Sequence, residues 1–318
     1  MSNTTNKRIT IHGKMVLKYW YVLVILVVLV VFPKRAFGEG LSLGVYPPII
    51  QITAVPPAKI ENPITLQNLS DHSVSLNIRL RPFTSSKKEN GEVSYLSQND
   101  FFGENPLFFQ HIQIVEDDKP IQNLTLSPKQ EKKLILDIEI PASEPLSDYY
   151  FSVLFISSTT NESSANQSQN IAGIGTNVLI SVGPKGETKG FIEEFSTPNI
   201  SEKGPVSFTL RLKNTGDHFI TPKGEIRIKN MFGQTVGQVE LKPENILSKT
   251  IRAISGRWPE TFILGPYSAT LTLYLSDSGP KFERTIHFIG FPLKHIVGFI
   301  VAMLILVLIR NRIKKHLR

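Results

Sequence analysis

Short stretches in which apolar and polar residues alternate run through the middle of the chain, from residue 41 to residue 288. Sustained repeats with the 3.6-residue period of a helix are missing from this part of the sequence. Alternation with period two buries one face of a strand and leaves the other in water, as antiparallel sheets packed in sandwiches require. The clearest runs begin at Val74, Leu134, Val206 and Ala269. The sequence therefore predicts an all-β body.

Two pairs of short segments echo each other within this body. Asn68-Leu-Ser-Asp-His72 and Asn214-Thr-Gly-Asp-His218 each follow an early alternating run, and Leu146-Ser-Asp-Tyr149 parallels Leu264-Gly-Pro-Tyr267. The two tyrosines stand where a sandwich corner places a tyrosine whose hydroxyl binds nearby backbone. The echo indicates two similar folding units.

A polar, turn-rich segment at residues 183–186 separates the two units. We therefore predict two tandem Ig-like antiparallel β-sandwiches, a first domain at residues 39–184 and a second at residues 185–290. Turn signals such as Asn90-Gly91 separate the alternating runs at the spacing that is typical of such sandwiches.

The N-terminal end carries an unbroken apolar run at residues 19–32, behind a basic leader. Its length suits the core of a signal peptide and is short for a membrane span. Ala36-Phe37-Gly38 then offers small residues at the two positions that signal peptidase inspects. We predict a signal peptide at residues 1–38, with an uncleaved anchor as the alternative.

The C-terminal end carries a second apolar run at residues 296–309, followed by clustered Lys and Arg from Arg310 onward. Basic residues beside an apolar run are retained on the cytoplasmic side of a membrane. We predict a transmembrane helix at residues 291–310 and a basic cytoplasmic tail at residues 311–318. The expected location is the cell membrane, single-pass, with the bulk of the chain extracytoplasmic.

The charge distribution disfavours nucleic acid as a partner. The chain has 35 Lys and Arg against 27 Asp and Glu, but eleven of the bases lie in residues 1–38 and in the last nine residues. The body between these ends holds more acids than bases, and its bases are interspersed with acids. A nucleic-acid interface needs a basic surface, so none is predicted.

A search for catalytic and metal-binding patterns yields no site. The chain has no cysteine, which excludes disulfides, thiolate metal sites and a cysteine nucleophile. Gly40-Leu-Ser-Leu-Gly44 matches a nucleophile elbow in letters only, because it lacks the strand-to-helix turn of an α/β sheet. The body histidines lack the spacing of a helical zinc pair; they are His72, His111, His218 and His287. We predict a protein without catalytic residues, cofactor or metal, and a hydrolase with an unrecognised carboxylate pair remains an alternative.

An aromatic-rich insertion at residues 84–110 supplies the candidate ligand-binding residues. These are Tyr95, Phe101, Phe102, Phe108 and Phe109. Such side chains either plug one end of the first sandwich or form an exposed platform that stacks on sugar rings or anchors a protein partner.

The order of features in the first domain resembles the peptidoglycan-binding domain of bacterial WxL-interacting surface proteins. The features are Val45-Tyr-Pro-Pro48, the Asn68-Leu-Ser70 turn, Asn90-Gly-Glu-Val-Ser-Tyr95, Leu126-Ser-Pro128 and the strand Tyr149-Tyr-Phe-Ser-Val-Leu-Phe155. The resemblance spans residues 41–183, and the family's layout of signal, two sandwiches, membrane helix and basic tail is also similar. The second domain departs from the family and looks like a generic bacterial Ig-like module. The resemblance implies an envelope protein that contacts wall polymer or surface proteins.

Two functions follow from these predictions. The first is a non-enzymatic, membrane-anchored cell-surface protein that presents two β-sandwiches to cell-wall glycan or to envelope proteins. The alternative is an envelope assembly chaperone that acts by strand donation to an incomplete subunit.

Overall fold

The computed structural model describes residues 42–96, 108–157, 173–184, 186–277, 279 and 281–316. Residues Leu43–Arg318 form one compact unit. The predicted signal peptide and the candidate residues Phe101 and Phe102 lie outside the described residues.

Eleven strands form the first pair of sheets. They are β1 (Leu43–Tyr46), β2 (Ile49–Ala54), β3 (Ala58–Asn68), β4 (Val74–Ser85), β5 (Val93–Tyr95), β6 (Ile112–Glu116), β7 (Lys119–Pro120), β8 (Asn123–Leu126), β9 (Glu131–Ile140), β10 (Asp148–Ser157) and β11 (Gly173–Val182). One sheet has the order β1-β3-β9-β6-β7, and the other has the order β2-β11-β10-β4-β5 with β8 also paired to β4. A 3₁₀ helix at Phe108–His111 precedes β6.

Eight further strands and one helix follow. The strands are β12 (Gly190–Ser196), β13 (Ile200–Ser201), β14 (Val206–Asn214), β15 (Lys223–Asn230), β16 (Thr235–Leu241), β17 (Ile251–Trp258), β18 (Gly265–Tyr274) and β19 (Lys281–Gly290). They form the sheets β12-β14-β17 and β13-β19-β18-β15-β16. The helix α1 spans Leu293–His316. The mostly β body predicted from the alternating runs is confirmed.

Each pair of sheets encloses its own apolar core, and we call the two pairs the first and the second sandwich. Alternate residues of β3, β9 and β10 are fully buried in the first; examples are Ile64, Leu66, Leu134, Leu136 and Phe151. In the second, Phe208, Trp258 and Phe288 pack ring against ring at centroid distances of 6.0 and 6.3 Å. Burying each such side chain stabilises the fold by roughly 1.5–3 kcal/mol, so these cores hold the sheets together.

The Asn-x-x-Asp-His echo has the same structure in both sandwiches. Asn68 and Asn214 are fully buried. Asn68 Nδ2 donates to the carbonyls of His72 at 2.7 Å and Ser127 at 2.9 Å. Asn214 Nδ2 donates to the carbonyls of His218 at 2.9 Å and of Leu247 at 3.1 Å. In each sandwich one asparagine therefore joins the turn after an early strand to a distant turn.

A lysine in the distant turn completes the repeat. Lys129 and Lys249 have φ angles of 58° and 59°, which non-glycine residues seldom adopt. Each ammonium reaches back to the asparagine turn: Lys129 Nζ lies 2.8 Å from Asp71 and Lys249 Nζ lies 2.8 Å from Asp217. The echo is thus a repeated hydrogen-bonded unit.

The corner tyrosines differ between the two sandwiches. The Leu264 N–H donates to the Tyr267 hydroxyl at 3.2 Å, so this tyrosine binds nearby backbone as expected. The Tyr149 hydroxyl instead donates to the carboxylate of Glu144, a buried side chain five residues upstream. The structure thus places the Tyr267 hydroxyl against backbone, as predicted, and the Tyr149 hydroxyl against a carboxylate.

The predicted transmembrane helix at residues 291–310 is wrong. Helix α1 covers most of that range, but the described residues contain no helix that is long and apolar enough to cross a bilayer. Its uninterrupted apolar run, residues 296–309, extends about 21 Å at 1.5 Å per residue, whereas the hydrocarbon core is about 30 Å thick. The predicted single-pass location, with a cytoplasmic tail at residues 311–318, depended on this helix and is corrected with it.

Each repeated asparagine should be essential to its own sandwich. We expect Asn68→Ala and Asn214→Ala each to lower the free energy of unfolding by about 2–4 kcal/mol, because buried carbonyls lose their donors. Urea denaturation followed by circular dichroism measures the loss. The exposed Asn199→Ala is the control, with an expected change within about 0.5 kcal/mol. Equal stability of all three variants would contradict the structural role of the repeat.

Candidate functional site

The two sandwiches meet at the start of β10, where the Asp148 carboxylate is buried. Its side chain is 3% exposed. Ser181 Oγ, on the neighbouring strand β11, donates to it at 2.8 Å. The backbone N–H of Phe219, in the second sandwich, donates to it at 2.6 Å. One carboxylate of the first sandwich is therefore bonded to the backbone of the second.

Two side chains complete the bonding of Asp148. His218 Nδ1 lies 2.7 Å from Asp148 Oδ1, within hydrogen-bond distance. The Tyr150 hydroxyl donates to Asp148 and accepts from the Ser248 N–H at 3.1 Å. Burial raises the pKa of the Tyr150 phenol, with the Asp148 charge adding to the effect, so the hydroxyl keeps its proton. Three hydrogen bonds of this network therefore cross the junction, two at Asp148 and one at Tyr150.

A small apolar cluster lies beside this polar network. Phe83 and Leu179 from the first sandwich and Leu247 from the second are buried together, and Tyr150 and Phe219 pack against them. The rings of Phe83 and Tyr150 stack at 6.2 Å. Burial of apolar area from both sides gives the junction a hydrophobic contribution besides its hydrogen bonds.

The β4–β5 hairpin forms a second contact between the sandwiches. Glu89, near its tip, has a φ of 57°. Its carboxylate accepts two hydrogen bonds from Arg211, at 2.9 Å from Nε and 3.0 Å from Nη2. Its carbonyl accepts from the Ala253 N–H at 2.7 Å. The Arg211 guanidinium holds the pKa of the Glu89 carboxyl below its ordinary value.

Arg252 packs against the same hairpin at Gly91. Gly91 has a φ of 84°, and a Cβ placed there would lie 2.2 Å from Arg252 Nη2. The guanidinium is fixed by Glu244, 2.7 Å from Nε, and by the carbonyl of Asn245, 2.7 Å from Nη1. Only glycine leaves room for this arginine, so the Asn90-Gly91 turn serves the junction as well as the hairpin.

Cavities flank the junction on two sides. The smaller, about 110 Å³, lies between β11, the β4–β5 hairpin and the loop that carries Asn245, and it is lined by Asn177, Leu179 and Arg252. The larger, about 380 Å³, has hydroxyl and charged side chains in its lining, including Ser181, His218 and Asp277. Because both sandwiches contribute to each cavity, the junction fixes the shape of both.

The edge of β11 is open close to the smaller cavity. Residues 177–182 of β11 pair with β2, whereas residues 173–176 pair only with β10 among the described strands. The chain leaves this edge at Pro47 and Pro48, where it passes from β1 in one sheet to β2 in the other. The Asn177 N–H donates to the Pro48 carbonyl on the β2 side. Since backbone groups alternate sides along a strand, the N–H and C=O groups of Gly173 and Gly175 point the same way, to the open edge.

Of the predicted aromatic side chains, those of Tyr95 and Phe109 are described, and they lie in different surroundings. Tyr95 is 43% exposed on β5, beside the guanidinium of Arg81 at 5.6 Å from the ring centre, and its hydroxyl donates to Ser152 Oγ at 3.3 Å. Phe109 packs edge-on against the buried Phe151 at 5.4 Å. Phe108 lies in the 3₁₀ helix. Whether these residues bind a ligand stays a prediction.

Sequence reasoning missed the residues that join the sandwiches. Asp148 stands inside the Leu146-Ser-Asp-Tyr149 echo, and its counterpart in the second echo is Pro266. That difference marks Asp148 as specific to the first sandwich. Glu89 and Arg211 carry no sequence signal, because their partners are distant along the chain.

Comparisons with known proteins leave the family open. No family model matches the chain, and no curated protein matches its sequence. Among solved structures, the class 5 fimbriae chaperone CfaA is 12% identical over 79% of this chain and 100% of its own, with a TM-score of 0.37. The E. coli chaperone DraB is 12% identical over 77% of this chain and 98% of its own, with a TM-score of 0.36. Similarity at this level identifies neither a partner nor an activity.

Removing the charge of Asp148 should loosen the junction. We expect Asp148→Asn to lower the free energy of unfolding by about 3 kcal/mol, because the new amide group faces donors in place of an acceptor. Urea denaturation measures this loss, and small-angle scattering should show a larger radius of gyration. Asp71→Asn, at an exposed ion pair, is the control and should change the free energy of unfolding far less than Asp148→Asn does. Wild-type stability of Asp148→Asn would contradict the central role of this carboxylate.

The Glu89–Arg211 pair should make stability depend on pH. The pKa of Glu89 is lower in the folded protein than the ordinary value, so the pair stabilises the fold above that ordinary value and loses its effect as the pH falls through the folded value. We expect Glu89→Gln to be less stable than wild type at pH 7, and the difference to shrink as the pH falls below the ordinary pKa of a glutamate and to vanish below the lower pKa of Glu89 in the folded protein. Urea midpoints across this range test it, with the exposed Glu202→Gln as the pH 7 control. A difference that persists at low pH would show that packing, and not charge, holds the hairpin.

Proposed function

We propose that this chain is a non-enzymatic binding protein that holds an extended segment of another envelope protein by strand addition at the open edge of β11. The observation that carries the proposal is the four-residue stretch at residues 173–176, which has a partner on one side only among the described strands. Strand addition obtains affinity from main-chain hydrogen bonds and specificity from pockets for alternate side chains.

In the described part of the chain, the edge carries backbone groups that no strand pairs. Gly173 and Gly175 direct their N–H and C=O groups outward and have no side chains to hinder an approaching backbone. Ile174, between them, is half-buried and faces the same side as the buried Thr176. An apolar side chain of the added segment would cover Ile174 and extend the core of the first sandwich.

The rigid junction supports this function. A segment added beside residues 173–176 lies next to Asn177, which also lines the cavity between the sandwiches. Because Asp148 and Glu89 fix the second sandwich against the first, the cavity keeps its position relative to the open edge. A preformed surface of this kind binds with a smaller loss of conformational freedom than a mobile one.

A second candidate function is binding of cell-wall glycan, which the first-domain resemblance implies, and the candidate contact residue for it is Tyr95 of the aromatic-rich insertion. An exposed aromatic ring with a guanidinium nearby offers the stacking and hydrogen bonding that sugars use. Here the guanidinium is that of Arg81, and the Tyr95 hydroxyl is held by the buried Ser152, whose Oγ donates to Asn177 Oδ1 at 2.6 Å.

Removal of one outward N–H should weaken strand addition. The probe is a fluorescent decapeptide of alternating Val and Thr, titrated against the full chain. We expect Gly175→Pro to weaken peptide binding about tenfold or more relative to Gly175→Ala, because only proline removes the donor. The two variants are matched, since each adds a Cβ that meets Leu154 Cδ2 at 2.6 Å. Equal affinities of the two variants for the peptide, or no binding by wild type, would overturn the proposal.

The glycan candidate has a separate test. Full chain is mixed with purified peptidoglycan and the bound fraction is measured after sedimentation. Glycan binding through the aromatic ring predicts at least about a tenfold loss of retention for Tyr95→Ala, with Phe191→Ala as an exposed aromatic control elsewhere. Retention that is unchanged in Tyr95→Ala would reject this candidate and leave strand addition untouched.

A further inference from the structure

The end of the second sandwich that lies away from the first, which we call the distal end, exposes a group of large apolar side chains. Their exposed fractions run from 43% for Phe291 to 76% for Phe232. The group consists of Ile200, Met231, Phe232, Phe262, Leu264, Ile289, Phe291 and Leu293. None of the eight is charged or polar.

Several contacts place these residues together. Ile200 pairs with Ile289 across β13 and β19. A Cβ at Gly265, directly after Leu264, would lie 3.7 Å from Met231 Sδ. The Phe291 N–H donates to the Ser201 carbonyl at 2.9 Å. A cavity of about 480 Å³ opens at this end, with Met231, Tyr267 and Phe288 in its lining.

The distal end corresponds to the end of the first sandwich that docks on the second. Tyr149 and Tyr267 occupy equivalent corners, so the start of β18 matches the start of β10, where Asp148 and Tyr150 bind the second sandwich. In the second sandwich, β15, the first strand of the β15–β16 hairpin, pairs with β18. In the first sandwich, β4, the first strand of the β4–β5 hairpin, pairs with β10 in the same way. In the first sandwich that hairpin carries Glu89 into the junction, and in the second it carries Met231 and Phe232. The end of the first sandwich that forms an interface therefore corresponds to the distal end of the second sandwich, where the apolar side chains are exposed.

We propose that the distal end is a self-association surface that packs against the same end of a second copy of this chain. Eight side chains of this size and exposure present roughly 800 Å² per copy, which is what one partner buries in a stable interface. A surface made mostly of apolar side chains can pack against an identical surface, so a two-fold axis can join two such patches. Exposed apolar surface of this extent marks an interaction site.

Helix α1 extends the same surface. It begins at Leu293, directly beyond the distal end, and its next large apolar residues are also exposed, among them Val297, Phe299 and Ile300. A two-fold axis through the distal ends would bring the first turns of two such helices close together. The helix therefore adds apolar area to the interface and does not compete with it.

Sedimentation equilibrium of the full chain at several concentrations tests the proposal. We expect wild type to form dimers, and Phe232→Ser to raise the dimer dissociation constant about tenfold or more. The double variant Met231→Ser with Phe232→Ser should raise it further. Both side chains lie at an exposed hairpin tip, so the thermal unfolding midpoint should stay within about 2 °C of wild type. Phe191→Ser, at an exposed phenylalanine at the other end of the same sandwich, is the control and should leave the dimer intact.

Two results would overturn the proposal. One is a wild-type chain that stays monomeric, or a dimer that Phe232→Ser and Phe191→Ser affect equally. The other is flotation of a monomeric wild type with vesicles of phosphatidylethanolamine and phosphatidylglycerol that is lost in Phe232→Ser, because the distal end would then contact lipid and not a second copy. Neither result depends on peptide binding at β11, so this proposal and the proposed function fail separately.

Discussion

The relation between the two sandwiches depends on one buried carboxylate. Asp148 accepts four hydrogen bonds, two from its own sandwich and two from the second. A carboxylate in this position is costly unless every acceptor site is used, so a second sandwich that moved away would leave a charge without its partners. Glu89 and the apolar cluster around Leu179 add further contacts between the two sandwiches, whose relative orientation Asp148 already fixes. This relative orientation of the sandwiches determines the shape of both cavities between them and the distance of the cavities from the open edge of β11.

The turns of the repeated asparagine unit are followed by different residues in the two sandwiches, and those of the second sandwich contribute to the junction. Asn68 and Asn214 make the same turn contacts, and the turns end in His72 and His218. The residues that follow differ: Phe219 packs into the junction and its backbone binds Asp148, whereas Ser73 holds the equivalent position in the first sandwich. The same structural unit thus stabilises its own sandwich in the first repeat, and in the second repeat it also contributes contacts to the junction.

The sequence predicted the structural features that depend on a periodic pattern or on residues close together in the chain. The runs beginning at Val74 and Leu134 became strands, and the Asp-His echo became a shared hydrogen-bonded turn. It did not predict the bond between Asp148 and Phe219, because 71 residues separate them and no pattern in the sequence links the two positions. The C-terminal prediction failed for a different reason: the basic cluster after residue 309 indicates which side of a membrane a helix end would face, whereas the length of the apolar run decides whether the helix can cross a bilayer.

An open sheet edge is normally a hazard, because unpaired N–H and C=O groups bind the edge of another molecule. Proteins limit this hazard by keeping such edges short or covered, and the edge at residues 173–176 is short. Covering it would require β2 to begin four residues earlier, but Pro47 and Pro48 occupy that position, and a proline has no N–H to donate to a ladder. The same two prolines carry the chain from one sheet to the other. Among the described strands, this stretch is therefore unpaired because of the strand exchange between the two sheets of the first sandwich, and glycines occupy both of its outward positions.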